Sequence, residues 1–357
     1  MNPRLIINLE KLVHNANFLS QLCHKHGVSF AAVTKVFCAD PQMVAALAPL
    51  NIDFLADSRL ENIAAYPAVR QKTMLLRLPT PALAPDVVRL CDISLNSELS
   101  TITALAEAAR SQGKTHGILL MIDLGDLREG IYHDETAQIM EICRFVLAQK
   151  GLTLEGIGTN LTCYGSVLPS AANLGRLSDI AEEIEAKFDT KLPIVSGGNS
   201  SSLNMLVEGQ IPKKVNNLRL GESLVCGLET AYGQPFPSLK QNIITLETPI
   251  IEIAKKPSMP EGRTNINAFG EKIIYTDRGM HLRAIAAIGR QDTHCEGLTP
   301  LDPGVEIVGA SSDHLILDIT RAKSPKIGDP LRFSLSYGAV LAGFTSKYVD
   351  KFYEAAL

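Results

Sequence analysis

The spacing of apolar residues along this 357-residue chain predicts an α/β protein. A (β/α)8 TIM-type barrel is expected over residues 9–230, and a smaller C-terminal antiparallel β domain over residues 231–357. Three observations carry the prediction. Eight short apolar runs alternate with helical stretches across the first part of the chain, the pattern of parallel strands joined by crossover helices. Polar residues gather where those runs end, at Lys35, Asp57, Arg77, Asn96, Asp123, Asn160, Asn199 and Arg219. A barrel brings such positions to one face. Beyond Gly233-Gln-Pro-Phe-Pro237 the apolar residues alternate with period two and long helical stretches cease, as in an antiparallel sheet. A doubly wound open sheet is the other reading of the first part.

Taken in order, residues 4–8 read as a strand able to pair into the C-terminal domain. Residues 9–26 carry Leu9, Leu12, Val13, Ala16, Leu19 and Leu22 at helical spacing, and Gly27 stops them. Strands are expected at 30–33, 52–57, 73–77, 93–96, 117–123, 154–160, 192–196 and 217–221. The run at 117–123 is the most apolar. Helices are expected at 41–50, 59–66, 82–90, 98–112, 135–149, 171–188 and 202–208, several closed by Gly or Pro. In the C-terminal part, strands are expected at 243–253, 271–275, 282–288, 305–308, 315–319 and 331–336. The tail at 346–356 reads as helix.

Composition narrows the function. The chain is 46% hydrophobic and 20% charged, with a formal net charge of −4. That balance gives no basic surface for nucleic acid or membrane. No apolar run approaches the ~18 residues of a membrane span, and the first residues lack a signal-peptide pattern. Seven scattered cysteines contain no CxxC pair. Reduced thiols and a cytoplasmic protein are expected.

Four stretches carry chemistry. Lys35 arrives where the buried run 30–33 ends. It is either a lysine that snorkels to the surface or an amine whose pKa is lowered by partial burial and is free for Schiff-base chemistry. Ser196-Gly-Gly-Asn-Ser-Ser-Ser202 precedes a helix. Its amides and hydroxyls suit a phosphate, or serve only as an N-cap run. Barrel phosphate sites follow strands seven and eight, where this loop and Arg219-Leu-Gly221 fall. Arg219 interrupts an apolar strand, as a ligand contact or as half of an ion pair. Asp123-Leu-Gly-Asp126-Leu-Arg128-Glu129-Gly130 is a solvated loop or a ligand-orienting cluster.

Val33-Thr-Lys35-Val, Asp123 to Gly130, Glu155-Gly-Ile-Gly-Thr-Asn160-Leu, Gly198-Asn-Ser200 and Leu218-Arg219-Leu-Gly221 occur in the order and approximate spacing of one superfamily. The chain resembles the alanine racemase superfamily of fold-type III pyridoxal 5′-phosphate enzymes, and within it the ornithine racemase-like branch. Ala310-Ser-Ser-Asp-His314 and Ser336-Tyr-Gly338 strengthen the likeness. The resemblance implies a two-base racemase interconverting L- and D-amino acids, ornithine or a related basic one, with alanine as another option. Lys35 would hold the cofactor and act as one base. Arg128 would contact the phenolic oxygen, and Asn160 would replace a ring-stacking histidine. Asn199, Ser200 and Gly221 would hold the phosphate, with Tyr348 as a further phosphate ligand. Arg219 would face the pyridine nitrogen. A guanidinium gives up no proton at neutral pH, so that nitrogen stays unprotonated and the electron sink is moderated. A homodimer with shared sites is implied.

The chain departs from the family at the second base. Where alanine racemases carry Gly-Tyr-Ala-Asp, it reads Gly289-Arg290-Gln-Asp292. Asp313 and His314 are the expected catalytic replacements, with Asp292, His294 and Tyr337 as neighbouring options. Ser311-Ser-Asp-His314 also resembles half of the metal site of fold-type III D-threonine aldolases and D-serine dehydratases. The cysteine that completes that site is missing near 336–339, so no metal is expected. A metal-assisted lyase on a D-hydroxy-amino acid and a non-catalytic cofactor carrier remain the rival functions. For the substrate's distal end, Asp126, Glu129 and Glu222 are the candidate acids.

Overall fold

The computed structural model describes residues 2–354. Within the first compact unit, Glu10–Gln241, eight parallel strands close on themselves. They are β2 (Ser29–Val33), β3 (Phe54–Asp57), β4 (Lys72–Leu75), β5 (Ile93–Asn96), β6 (His116–Asp123), β8 (Leu152–Gly158), β9 (Ile194–Ser196) and β10 (Asn217–Leu220). Closure comes from β10, whose Leu218 pairs with Phe30 of β2. The structure is therefore a barrel and not the doubly wound sheet. A two-residue strand, β7 (Ile131–Tyr132), runs beside the end of β6.

The strand sequences explain the layering. Side chains alternate across a strand, and in β6 Leu119 and Met121 join Ala31, Val33, Ala56, Met74 and Ile194 in one cluster. Ile118, Leu120 and Ile122 join a second cluster with α5 (Leu99–Gln112), α6 (Thr136–Ala148) and α7 (Ala171–Phe188). Every residue of β6 is buried, as a strand covered on both faces requires. Helix ends follow local chemistry. Asp40 caps α2 (Pro41–Leu47) by accepting from the amides of Gln42 and Met43, each at 3.1 Å. Ser170 and Asn173 form a capping box on α7.

This unit extends to Gln241, past the expected boundary at 230. Asn15 on α1 (Leu9–Lys25) holds the extra segment: its amide donates to the carbonyls of Leu224 at 3.2 Å and Lys240 at 2.9 Å. Phe236 packs edge-on to Phe18.

The second unit joins the N-terminal residues through Leu9 to the chain from Asn242 onward. Here β1 (Arg4–Ile7) pairs antiparallel to β11 (Ile244–Pro257) and parallel to β17 (Asp350–Tyr353). The remaining strands are β12 (Met280–Ala286), β13 (Leu298–Pro300), β14 (Glu306–Ala310), β15 (Leu315–Asp318) and β16 (Pro330–Leu335), in the order β13-β16-β11-β12-β15-β14. Buried Glu247 accepts from Arg4 Nε at 2.8 Å and Arg332 Nε at 3.0 Å.

Two expectations fail in this unit. Residues 271–275 form no strand beyond an isolated bridge at Lys272, because the Asn267 carboxamide accepts from the Phe269 and Glu271 amides and folds the segment into a turn. The helix expected at 346–356 is displaced. A helix, α10 (Tyr337–Thr345), precedes it, and residues 350–353 add to β1 as a strand; residues 355–356 lie outside the described residues. A sheet edge overrides local helical spacing there.

Candidate active site

Lys35 follows β2 after Thr34 and opens a single 3₁₀ turn, Lys35–Phe37. Its backbone is fixed from both sides. Before it, Thr34 Oγ1 donates to Asp57 Oδ2 at 2.5 Å and lies 2.8 Å from Tyr66 Oη. Asp57 is itself held by the Arg59 amide at 3.0 Å and Asn62 Nδ2 at 2.9 Å. After it, Val36 and Phe37 are buried, and Cys38 and Ala39 turn the chain with φ of 50° and 52°. Burial lowers the Lys35 pKa, and the Arg128 charge lowers it further, so the neutral amine is favoured relative to a free lysine.

Arg219 on β10 is only 5% exposed. Its Nη1 donates to Ser196 Oγ and its Nη2 to the Thr159 carbonyl at 2.7 Å. Burial pushes its pKa down to about 10, which leaves it charged at neutral pH. The 196–202 loop lies beside it, with the Arg219 amide donating to the Gly198 carbonyl at 2.9 Å. Asn199 caps the turn at Ser200–Ser202 by accepting from the Ser201 amide at 2.8 Å, and donates to the Leu161 carbonyl at 2.8 Å. Ser200 Oγ lies 3.0 Å from Ser223 Oγ and accepts from the Ser223 amide at 3.2 Å. At Gly221 a side chain would stand 3.1 Å from Val33 Cβ, so the backbone runs close to β2. The buried hydroxyls of Ser201 and Thr159 have no protein partner.

Arg128 pairs with Glu129 and donates to Cys163 Sγ at 2.8 Å. Burial opposes its charge, but Glu129 outweighs burial and holds the pKa above the usual value. The Asn160 carboxamide lies between Asn199 Nδ2 and the Arg128 guanidinium, 3.2 Å from each. Asp123 and Asp126 are structural. Asp123 accepts from the amides of Gly125 and Leu127 at 2.9 and 3.1 Å. Buried Asp126 accepts from those of Cys163, Tyr164 and Val167 at 3.3, 3.1 and 3.1 Å. Asp126 therefore has no carboxylate oxygen to spare for a substrate.

The barrel thus gathers Lys35, Arg128, Asn160, Asn199, Ser200, Arg219 and Gly221 at the C-terminal ends of its strands. Sequence reasoning missed Thr159 and Ser223, and read Ser196 and Ser201 only as members of the 196–202 loop. Asp313, His314 and Tyr348 belong to the second unit. Asp313 accepts from Gln291 Nε2 at 2.8 Å, and the His314 amide donates to Ser311 Oγ at 3.1 Å. Tyr348 is 58% exposed, with Lys347 Nζ over its ring. Asp292 is buried and accepts from Ser346 Oγ at 2.8 Å. Gly289 is required where it stands, since a side chain would meet the Ser312 carbonyl oxygen at 2.4 Å. Among the described residues no three His, Cys, Asp or Glu side chains are grouped to hold a metal.

The chain is similar to known proteins. The chain is 45% identical to the ornithine racemase of Acetoanaerobium sticklandii over 98% of its length and 99% of that protein's. It is 36% identical to the lysine racemase of Thermotoga maritima over 99% of both. The alanine racemase of Bartonella henselae, solved with covalently bound pyridoxal phosphate, superposes with a TM-score of 0.74 over 99% of this chain and 100% of that one, at 17% identity. Residues 7–228 match the family described as alanine racemase, N-terminal domain, and the chain belongs to that family.

Proposed function

We propose that this chain is a pyridoxal-phosphate-dependent amino-acid racemase acting on ornithine, lysine or a related basic amino acid by a two-base mechanism. The observation that carries the reading is the 45% identity to an ornithine racemase along nearly the whole chain, with a lysine racemase as the second relative. The barrel residues fit the cofactor. Lys35 offers a half-buried amine of lowered pKa. Ser201 offers a buried hydroxyl with no protein partner, next to the Ser200–Ser223 contact.

Bound there, pyridoxal phosphate supplies the electron sink that acidifies the substrate's α-hydrogen. The chain's own residues do the rest. Lys35 would hold the cofactor; as a neutral amine it takes the α-proton on one face, and as the ammonium so formed it returns one. Arg128 would help to hold the cofactor, with Asn160 beside its guanidinium. Asn199, Ser200 and Gly221 would hold the phosphate. Arg219, charged at neutral pH, would hold the cofactor's ring without giving up a proton to it. Asp313 or His314, contributed by a second copy, is the base for the opposite face, which makes the protein a homodimer with shared sites. The seven cysteines are scattered with no CxxC pair, which supports a reducing, cytoplasmic setting.

The test is a panel of L-amino acids analysed by chiral chromatography, with ammonia and aldehyde measured in parallel. D-Ornithine or D-lysine is expected. Ammonia or aldehyde release dependent on added metal would favour the lyase. Borohydride reduction is expected to fix the cofactor on the peptide carrying Lys35; a label on another lysine overturns the assignment.

A further inference from the structure

We infer that Glu222 receives the distal ammonium of the substrate and so sets the preference for basic amino acids, an inference that rests on the racemase reading above. The register of β10 against β2 pairs Leu220 with Ala32, and Gly221 abuts Val33. Glu222, the next residue, therefore stands across this seam from Thr34 and Lys35. It is half-buried and within electrostatic reach of Lys35. Among the described residues its carboxylate makes no hydrogen bond or ion pair.

Four other carboxylates at this end of the barrel are engaged, and Glu98, just past β5, is exposed. Asp57 accepts from Thr34 and Asn62, Asp123 and Asp126 from backbone amides, and Glu129 is paired with Arg128. Burial raises the Glu222 pKa, and the Lys35 charge works in the opposite direction. Lys35 cannot serve as its permanent counter-ion, because a base must be unprotonated when it takes the α-proton. A part-buried carboxylate without a cation is unfavourable. A substrate with a second ammonium brings that cation with it, and a substrate with a neutral side chain does not.

The experiment compares wild-type and Glu222→Gln holoenzymes with L-ornithine and with L-norvaline, which has the same carbon chain and no distal amine. Racemisation kinetics and calorimetric binding are both measured. The ornithine-to-norvaline ratio of kcat/KM is expected to fall roughly 10- to 100-fold, the value of a charge-assisted hydrogen bond. The loss should lie in KM and be mirrored in the binding ratio, and Glu222→Asp should restore part of it. Equal losses for both substrates would mean that Glu222 acts on Lys35 or on folding, and would overturn the inference. A wild-type enzyme that racemises neither ornithine nor lysine removes the substrate reading itself. A wild type active on ornithine, with an unchanged ratio in the variant, removes Glu222 alone.

Discussion

Arg219 Nη2 donates to the carbonyl of Thr159 at 2.7 Å, joining the last barrel strand to the residue just past β8. Its other terminal nitrogen donates to Ser196 on β9, so one guanidinium serves three neighbouring strands. Arg219→Met keeps most of the volume and leaves the carbonyl and the hydroxyl unpaired. A loss of roughly 2–4 kcal/mol is expected, read from urea unfolding of the cofactor-free protein. A Met variant as stable as wild type would show that these bonds do not brace the barrel.

Lys35 should leave a signature in the pH dependence of stability. Burial, and then Arg128, hold its folded-state pKa below the ordinary 10.5. Between the folded value and 10.5 the unfolded chain binds more protons than the folded one. Stability therefore rises with pH across that window. In Lys35→Met this part of the rise should vanish. Denaturation midpoints of both cofactor-free proteins, from neutral pH to about 10.5, check it; parallel curves count against a lowered pKa.

Asp126 is expected to matter for stability and not for substrate choice. Its buried carboxylate organises the 163–167 loop through three amides. Asp126→Ala should cost about 3 kcal/mol and make that loop the first site of limited proteolysis. The ornithine-to-norvaline ratio should stay as in wild type. A shifted ratio with normal stability would reverse the assignment.

Gly156→Ala tests a backbone contact. With φ of +153°, an added Cβ would stand 1.7 Å from the Ile194 carbonyl oxygen, and β8 would have to separate from β9. More than about 4 kcal/mol should be lost, seen as insoluble or unfolded protein. Gly175→Ala is the control: it lies within α7 with nothing within 4 Å of an added Cβ, and it should gain roughly 0.5–1 kcal/mol. Similar behaviour of the two variants would refute the contact.

The barrel was legible because burial on both faces writes strands as continuous apolar runs, and any polar residue that interrupts one stands out. Lys35 and Arg219 are visible for that reason. Asp126 was not, because a loop carboxylate reads alike whether it meets solvent or three amides. The contact of Arg128 with Cys163, 35 residues away, also left no local mark. In the β unit the signal fails where a turn or an edge pairing decides. Residues 271–275 alternate correctly yet Asn267 folds them away, and 350–353 has helical spacing yet lies against β1.

The pairing of β1 has a consequence for synthesis. Arg4 finds Glu247 only 243 residues later, and Asn8 finds Glu354 only 346 residues later. At the ribosome's pace of about 5–20 residues per second, the first strand waits on the order of 10–50 s for β11. Throughout that interval Leu5, Ile6 and Ile7, which end up buried, emerge without their sheet, while every strand of the barrel has at least one neighbour close to it in sequence. An unpaired apolar edge invites association with other chains. A span of four residues keeps that edge short, and Arg4 carries a positive charge at its start until Glu247 arrives to neutralise it.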